Sequence, residues 1–303
     1  MKIVPFAVQL TLLLAAFSLT ANAQPVRFAV APCLFTGDAG TAEWIGAGVA
    51  FDLEKRLERW PVLQNSEHSQ VRGALTGRSS HDEQAAKAVF DDLAVDVVIT
   101  LAGSCSDGKV DLLARVWTSR SNPAYTVRLQ GTLGELFALD DRLTEAAVSA
   151  LRAEFPTLRP PDNQHRLHLA PAKSTQAYEY VIRAMDALRK ANASAARPNL
   201  EKACELEPGL WWTHYFLGAL EFREGRFERA VENCAVAISL DPDLYPGVYA
   251  NLAYCYHGTG DTERFQWAKA EFERRARKPL PERGLPARGG GFGTEVPRRR
   301  EAP

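Results

Sequence analysis

The sequence predicts two folds in series: a small mixed-sheet α/β domain, followed by an all-α stack of helical hairpins. Three observations predict this. Between residues 24 and 156, short apolar runs alternate with amphipathic helical patterns. Between residues 174 and 276, the phrase Glu205-Leu206-Glu207-Pro208 returns 34 residues later as Ser239-Leu240-Asp241-Pro242. A Pro-rich stretch, residues 157–173, separates the two patterns and reads as a linker. The 303 residues are 46% hydrophobic and 24% charged with a net charge of -1, long enough for two cores and unlike a collagen-like, wholly disordered or multi-span membrane chain. Near-neutrality also removes a global argument for nucleic acid as a partner, because such binders carry a surplus of Lys and Arg.

The first element is not part of either fold. Residues 1–23 place Lys2 before an apolar run from Leu10 to Leu19 and end in Ala21-Asn22-Ala23, the order of a secretory signal peptide. Ser18, Thr20 and Asn22 interrupt the apolar run, which favours cleavage over a membrane anchor. No Cys follows the small residues, so a lipid anchor is not expected. The mature chain is expected to start at Gln24, in the periplasm or outside the cell, and not to be an integral membrane protein. In such an oxidising compartment five cysteines need an account. Cys204, Cys234 and Cys255 fall in helical patterns and read as buried thiols. Cys33 and Cys105, each at or just past the end of an expected strand, form a candidate disulfide.

The α/β elements follow from local patterns. Residues 26–32 are a short apolar run ending at Thr36-Gly37-Asp38, hence a buried strand and a loop. Ile45, Val49, Leu53 and Leu57 recur every four positions, with Glu54, Lys55, Glu58 and Arg59 on the side expected to face water. Pro61-Val62-Leu63 reads as a short strand and residues 65–81 as a polar loop. Ala86, Val89, Phe90 and Leu93 form a second helical stripe before the apolar run of residues 96–101. Asp107-Gly108 and Asn122-Pro123 then mark turns of two antiparallel hairpins, and Leu136, Leu139, Leu143, Ala147 and Leu151 line a closing helix. This order, with the phrases at residues 28–32, 46–57, 93–99, 108–116 and 136–141, resembles the amino-terminal domain of TolB-like proteins over about residues 26–155. The resemblance implies a fold and an association with envelope or assembly proteins. It implies no reaction.

In the second half, Gly218, Gly225, Ala230, Ala237 and Pro242, with Pro208 closing the preceding unit, stand where a tetratricopeptide repeat places its small and terminating residues. Gly218 and Ala230 let paired helices approach, Gly225 turns the chain and Pro242 ends the second helix. The flanking units, about residues 175–208 and 244–277, are more degenerate: Asn192-Ala193-Ser194 and Pro198 disturb one turn, and Phe265 occupies a position that is usually small. Three hairpins are near the minimum for a stable stack, so the last is expected to act as a cap.

In similar repeats the first helix of each hairpin lines a peptide-binding groove, and the matching positions are Tyr178, Arg189, Trp212, Tyr215, Phe222, Arg223, Tyr254 and His257. Aromatic anchors beside Arg suit such a surface, since they bury large areas and freeze few rotamers. Packing between helices is the competing role for the same rings. Residues 277–303 are Gly- and Pro-rich and basic, so they read as a disordered tail able to contact anionic envelope components.

Catalytic residues, metal ligands and a cofactor are not expected. Ser80-His81-Asp82 are consecutive, whereas a triad assembles from separated segments. His165 and His168 lie in the linker without a third ligand, and the carboxylate pairs Asp91-Asp92 and Asp140-Asp141 sit among solvated charges. The function expected from the sequence is therefore non-enzymatic: an exported scaffold that binds a peptide or protein partner through the repeat groove, in bacterial envelope assembly or maintenance. The alternative is a small-molecule-sensing or enzymatic role for the α/β half, through loops 36–41 and 65–81.

Overall fold

A computed structural model describes residues 25–281 apart from 39, 61, 67, 79–81, 119–124, 159–171, 242–245 and 277. The expected signal peptide, the Asn122-Pro123 turn, most of the linker with His165 and His168, and residues 282–303 lie outside the described residues. Among the described residues, no helix is long and apolar enough to cross a membrane. The chain divides into two compact units at residues 170 and 171.

The first unit is a mixed sheet with helices on it. Its strands are β1 (Val26–Val30), β2 (Leu34–Gly37), β3 (Leu63–Asn65), β4 (Val97–Ser106), β5 (Lys109–Thr118) and β6 (Tyr125–Thr132). Their order is β3-β1-β4-β5-β6, with β2 also paired to β4. Strands β1, β2 and β3 run parallel to their neighbours, whereas β4-β5-β6 is an antiparallel meander turned at Asp107-Gly108. The helices are α1 (Thr41–Leu57), α2 (His68–Ala74), α3 (Glu83–Leu93) and α4 (Leu136–Glu154).

Alternation along the strands divides the core. Ala29, Ala31 and Val98 pack with Val71, Ala74, Leu75, Ala86 and Val89 of the α2–α3 side. Phe28, Val30, Val97, Ile99 and Leu101 are equally buried and project to the other face. Helix α1 packs on β1, β2, β4 and α4, and the expected stripe Leu136, Leu139, Leu143, Ala147 and Leu151 is buried throughout.

Three expectations for this unit are corrected. First, the chain after Pro32 is not a loop. Val30 pairs with Ile99 and Leu34 with Ala102, so four steps on one strand oppose three on the other and β2 resumes after a bulge. Gly37 closes β2 with φ 125°, where a Cβ would stand 1.8 Å from the Cys105 carbonyl oxygen. Second, part of residues 65–81 is helix α2, which buries only Val71 and Ala74. Third, the polar side of α1 is not solvated. Asp52, Glu54 and Arg56 are buried there, as is Asp140 on α4. Arg56 reaches Asp140 at 3.0 Å and also bonds Asp141, which fastens α1 to α4. Burial drives the Asp140 carboxyl well above its usual range, against the pull of Arg56 and with repulsion from Asp52. For Glu54, burial would raise the carboxyl, but bonds from His68 and Lys55 outweigh it and lower it to about 2.

The candidate disulfide is not formed, and both thiols are free. Parallel pairing sets Cys105 opposite Gly37, four residues past Cys33, which at about 3.3 Å per residue is roughly 13 Å, twice the reach of a disulfide. Burial pushes the Cys33 thiol up to about 12, which keeps it unreactive.

The second unit is all-α: three successive hairpins, α5 (Thr175–Arg189) with α6 (Ala193–Leu206), α7 (Trp211–Arg223) with α8 (Phe227–Leu240), and α9 (Gly247–Thr259) with α10 (Thr262–Ala276). Ser174 and Asn192 cap α5 and α6, accepting from the amides of Ala177 and Ala195. Ala191 turns the first hairpin with φ 56°, and Pro198 sits inside α6 without ending it. Small residues mark the helix crossings: Ala184, Ala196, Ala203, Ala230, Ala237, Ala253 and Ala268 are fully buried.

Candidate functional site

The middle hairpin shows why the repeat needs its small residues. A Cβ on Gly218 would lie 2.9 Å from Cys234 Sγ and 3.3 Å from the Ala230 carbonyl oxygen, so α7 and α8 touch with nothing to spare. Gly225 turns the hairpin at φ 75°. Pro208 stands in the exposed turn between the first two hairpins, and Pro242 lies outside the described residues.

The expected contact residues separate into two groups. Tyr178 and Trp212 are only 2% and 4% exposed, so here they serve packing and not contact. Trp212 stacks on Trp211 at 3.7 Å between centroids and on Phe216 at 5.9 Å, with Tyr215 edge-on at 6.1 Å. A ring this far inside is pinned by its neighbours. The other group reaches the surface: Tyr215, Phe222, Tyr254 and His257 are half-buried, and Arg189 and Arg223 are exposed. Phe222 meets Tyr254 at 5.9 Å, so the first helices of consecutive hairpins join their aromatic rows. His257 lies 5.3 Å from Phe265, the oversized residue of the third unit, which is itself half-buried.

Both arginines already have partners. Arg223 donates from Nη1 to the Leu188 carbonyl at 2.6 Å, a bond from the second hairpin to the end of α5 in the first, beside the Ala191 amide that the same carbonyl accepts. Arg189 pairs with Asp186 on its own helix at 3.3 Å. Tyr254 donates its hydroxyl to the Pro281 carbonyl at 2.9 Å, and burial raises its phenol. Residues 278–281 are thus not free tail. Leu280 is buried in the core of the last hairpin with Tyr249, Leu252 and Phe272, and its amide donates to Glu273.

Sequence reasoning missed the charged clasp between the first two hairpins. Arg197 on α6 reaches Glu221 on α7 at 2.9 Å and Glu224, just past the end of α7, at 2.5 Å, and Arg226 bonds the same two carboxylates. Burial alone would raise the Glu221 carboxyl, but hydrogen bonds from Arg197 and Arg226 hold it below its usual range. Within the first hairpin, Glu207 accepts from the amides of Lys173 and Ser174, tying the start of α5 to the end of α6.

Among the described residues of loops 36–41 and 65–81, Asp38 and His68 engage separate partners. Asp38 accepts from the Asp107 amide at 3.2 Å, His68 sits 3.8 Å from Glu54, and His81 lies outside the described residues. Among the described residues, no group of three His, Cys, Asp or Glu is placed to hold a metal ion.

The hairpin order, the 34-residue period and the small residues at the crossings define the second unit as a tetratricopeptide-like helical stack, here preceded by a mixed α/β sheet. No protein-family model matches the chain. No curated protein matches it. Among solved structures, MamA AMB-1 is similar over 48% of this chain and 68% of its own, at 19% identity and a TM-score of 0.27, a likeness too slight to carry an argument.

Proposed function

We propose that this chain is an exported, non-enzymatic interaction module that takes a peptide or protein partner on the side lined by the first helices of its repeats. The observation that carries the reading is the contact of half-buried Phe222 with half-buried Tyr254 across consecutive hairpins, with half-buried Tyr215 and His257 and exposed Arg223 on the same first helices. Such rings are held in place by neighbours yet keep area to bury, which suits an anchor surface. Export rests on residues 1–23, and a role in envelope assembly or maintenance rests on the TolB-like pattern of residues 26–155. The basic residues beyond Arg277 add a peripheral contact with anionic envelope components.

The test compares wild type with Tyr215→Ala/Phe222→Ala. Trp212→Ala and Arg223 charge reversal are poor probes, because both residues hold the hairpins together. Affinity capture from envelope extracts, read by mass spectrometry, should yield proteins retained by wild type and lost by the variant at unchanged helicity. Identical captured sets from both would remove the groove reading. Amino-terminal sequencing of the protein recovered from cells should begin at Gln24.

A further inference from the structure

The α/β unit carries a feature the repeat groove does not use. Strand β1 has β3 on one side and β4 on the other, and past Pro32 its continuation β2 stays paired with β4. A cavity of about 410 Å³ lies at the carboxyl end of β1, lined by Pro32 just past the strand and by Arg72, Gly73, Leu75, Thr76 and Arg78 from the end of α2 and its following turn.

Among the described residues that line it there is no carboxylate, and neither Arg72 nor Arg78 makes an ion pair among the described residues. Arg78 is positioned by its own Nη1, which donates to the Ala74 carbonyl at 3.4 Å, and the Thr76 hydroxyl donates to the Arg72 carbonyl at 3.2 Å. Arg72 and Arg78 are both solvent-exposed, and two like charges at one concavity favour an anion beside them. Guanidinium matches the tetrahedral oxygens of phosphate better than any other cationic side chain. The volume is several times that of a phosphate and falls within the range of small-molecule sites, roughly 300–1,000 Å³. Pro32 and Leu75 supply apolar wall for the remainder.

We propose that this cavity binds a small phosphorylated metabolite, with the phosphate held by Arg72 and Arg78 and the organic part against Pro32 and Leu75. The site stands independently of the repeat groove.

The test titrates the full chain calorimetrically with inorganic pyrophosphate, against sodium chloride at matched ionic strength. Saturable binding to wild type is expected, weakened about tenfold or more in Arg72→Ala/Arg78→Ala, with circular dichroism unchanged. A second variant uses shape instead of charge. A Cβ on Gly73 meets nothing within 4 Å, so Gly73→Phe should fill the cavity, leave the fold intact and also abolish binding. No pyrophosphate binding above the chloride control, or equal binding by wild type and both variants, overturns the proposal. Binding of phosphatidylglycerol vesicles that depends on Arg72 and Arg78 while pyrophosphate is ignored also overturns it, since the phosphate would then belong to a membrane surface.

Discussion

Replacing Gly218 by Ala is expected to change sign with its neighbour. In a helix interior the substitution alone gains about 1 kcal/mol of propensity. At this position the new Cβ stands 2.9 Å from Cys234 Sγ, roughly 0.8 Å inside an ordinary carbon–sulfur contact, and 3.3 Å from the Ala230 carbonyl. Cys234 is fully buried, so its sulfur has nowhere to rotate and the helices must part. Such overpacking costs about 1–3 kcal/mol, leaving Gly218→Ala destabilising by about 1 kcal/mol net. Cys234→Ala alone removes one buried atom and costs about 1 kcal/mol. Together, the two changes exchange sulfur for methyl across the contact, and the propensity gain should reappear. The double variant is then more stable than the sum of the singles by about 1–2 kcal/mol. Urea denaturation of the four proteins, followed by far-UV circular dichroism at equal m-values, measures the cycle. Additivity to within about 0.5 kcal/mol would show that Gly218 is not a contact residue and would refute the close-crossing account of the repeat.

Gly37→Ala places a Cβ 1.8 Å from the Cys105 carbonyl in a left-handed backbone, so the β2 pairing must open at a cost of about 3 kcal/mol or more, read by thermal melts and by faster exchange of the Asp38 amide. Arg197→Met should cost about 1–2 kcal/mol, because half-buried Arg197 leaves Glu221 with Arg226 as its remaining partner, and Glu221→Gln added to it should restore part of the loss in urea denaturation. Glu54 gives a pH dependence. Its folded value of about 2 lies below the unfolded 4.5, so its stabilisation is present above pH 4.5 and is lost as pH falls toward 2. Glu54→Gln should remove up to about 3 kcal/mol of that acid sensitivity, measured as the difference in urea stability between pH 5 and pH 2.5.

The repeats were legible because their signal is positional: Ala and Gly at crossings recur at one period whatever surrounds them, and Ala184, Ala203, Ala230 and Ala237 are all buried as that period requires. The strands and long helices of the α/β unit were legible from alternation and four-residue stripes. What escaped is what long-range pairing decides. Glu54 and Arg56 look like a solvated helix face until Asp140, 84 residues beyond Arg56, comes to lie against it. Helix α2 has only two buried residues and no stripe to show, and Pro32 hides the continuation of a strand that bulges around it. In the first helices of the hairpins, aromatic spacing did not show the exposure of each ring. Trp212 is withdrawn by Trp211 and Phe216, and Arg223 is bound to a carbonyl on another hairpin. Neither fact has a local signature.

A helical repeat has no intrinsic length, since each hairpin offers the next the same face its predecessor covered. Among the described residues, growth past α10 is blocked by four residues, Lys278–Pro281, with Leu280 seated in the last core and Pro281 held by Tyr254. Any further hairpin, or the end of a second molecule, must evict Leu280 before it can add on. Cutting the chain at Ala276 should therefore bare the apolar surface under Leu280 and leave an adhesive end. How many rings the array displays is set by that plug, not by the hairpins that carry them.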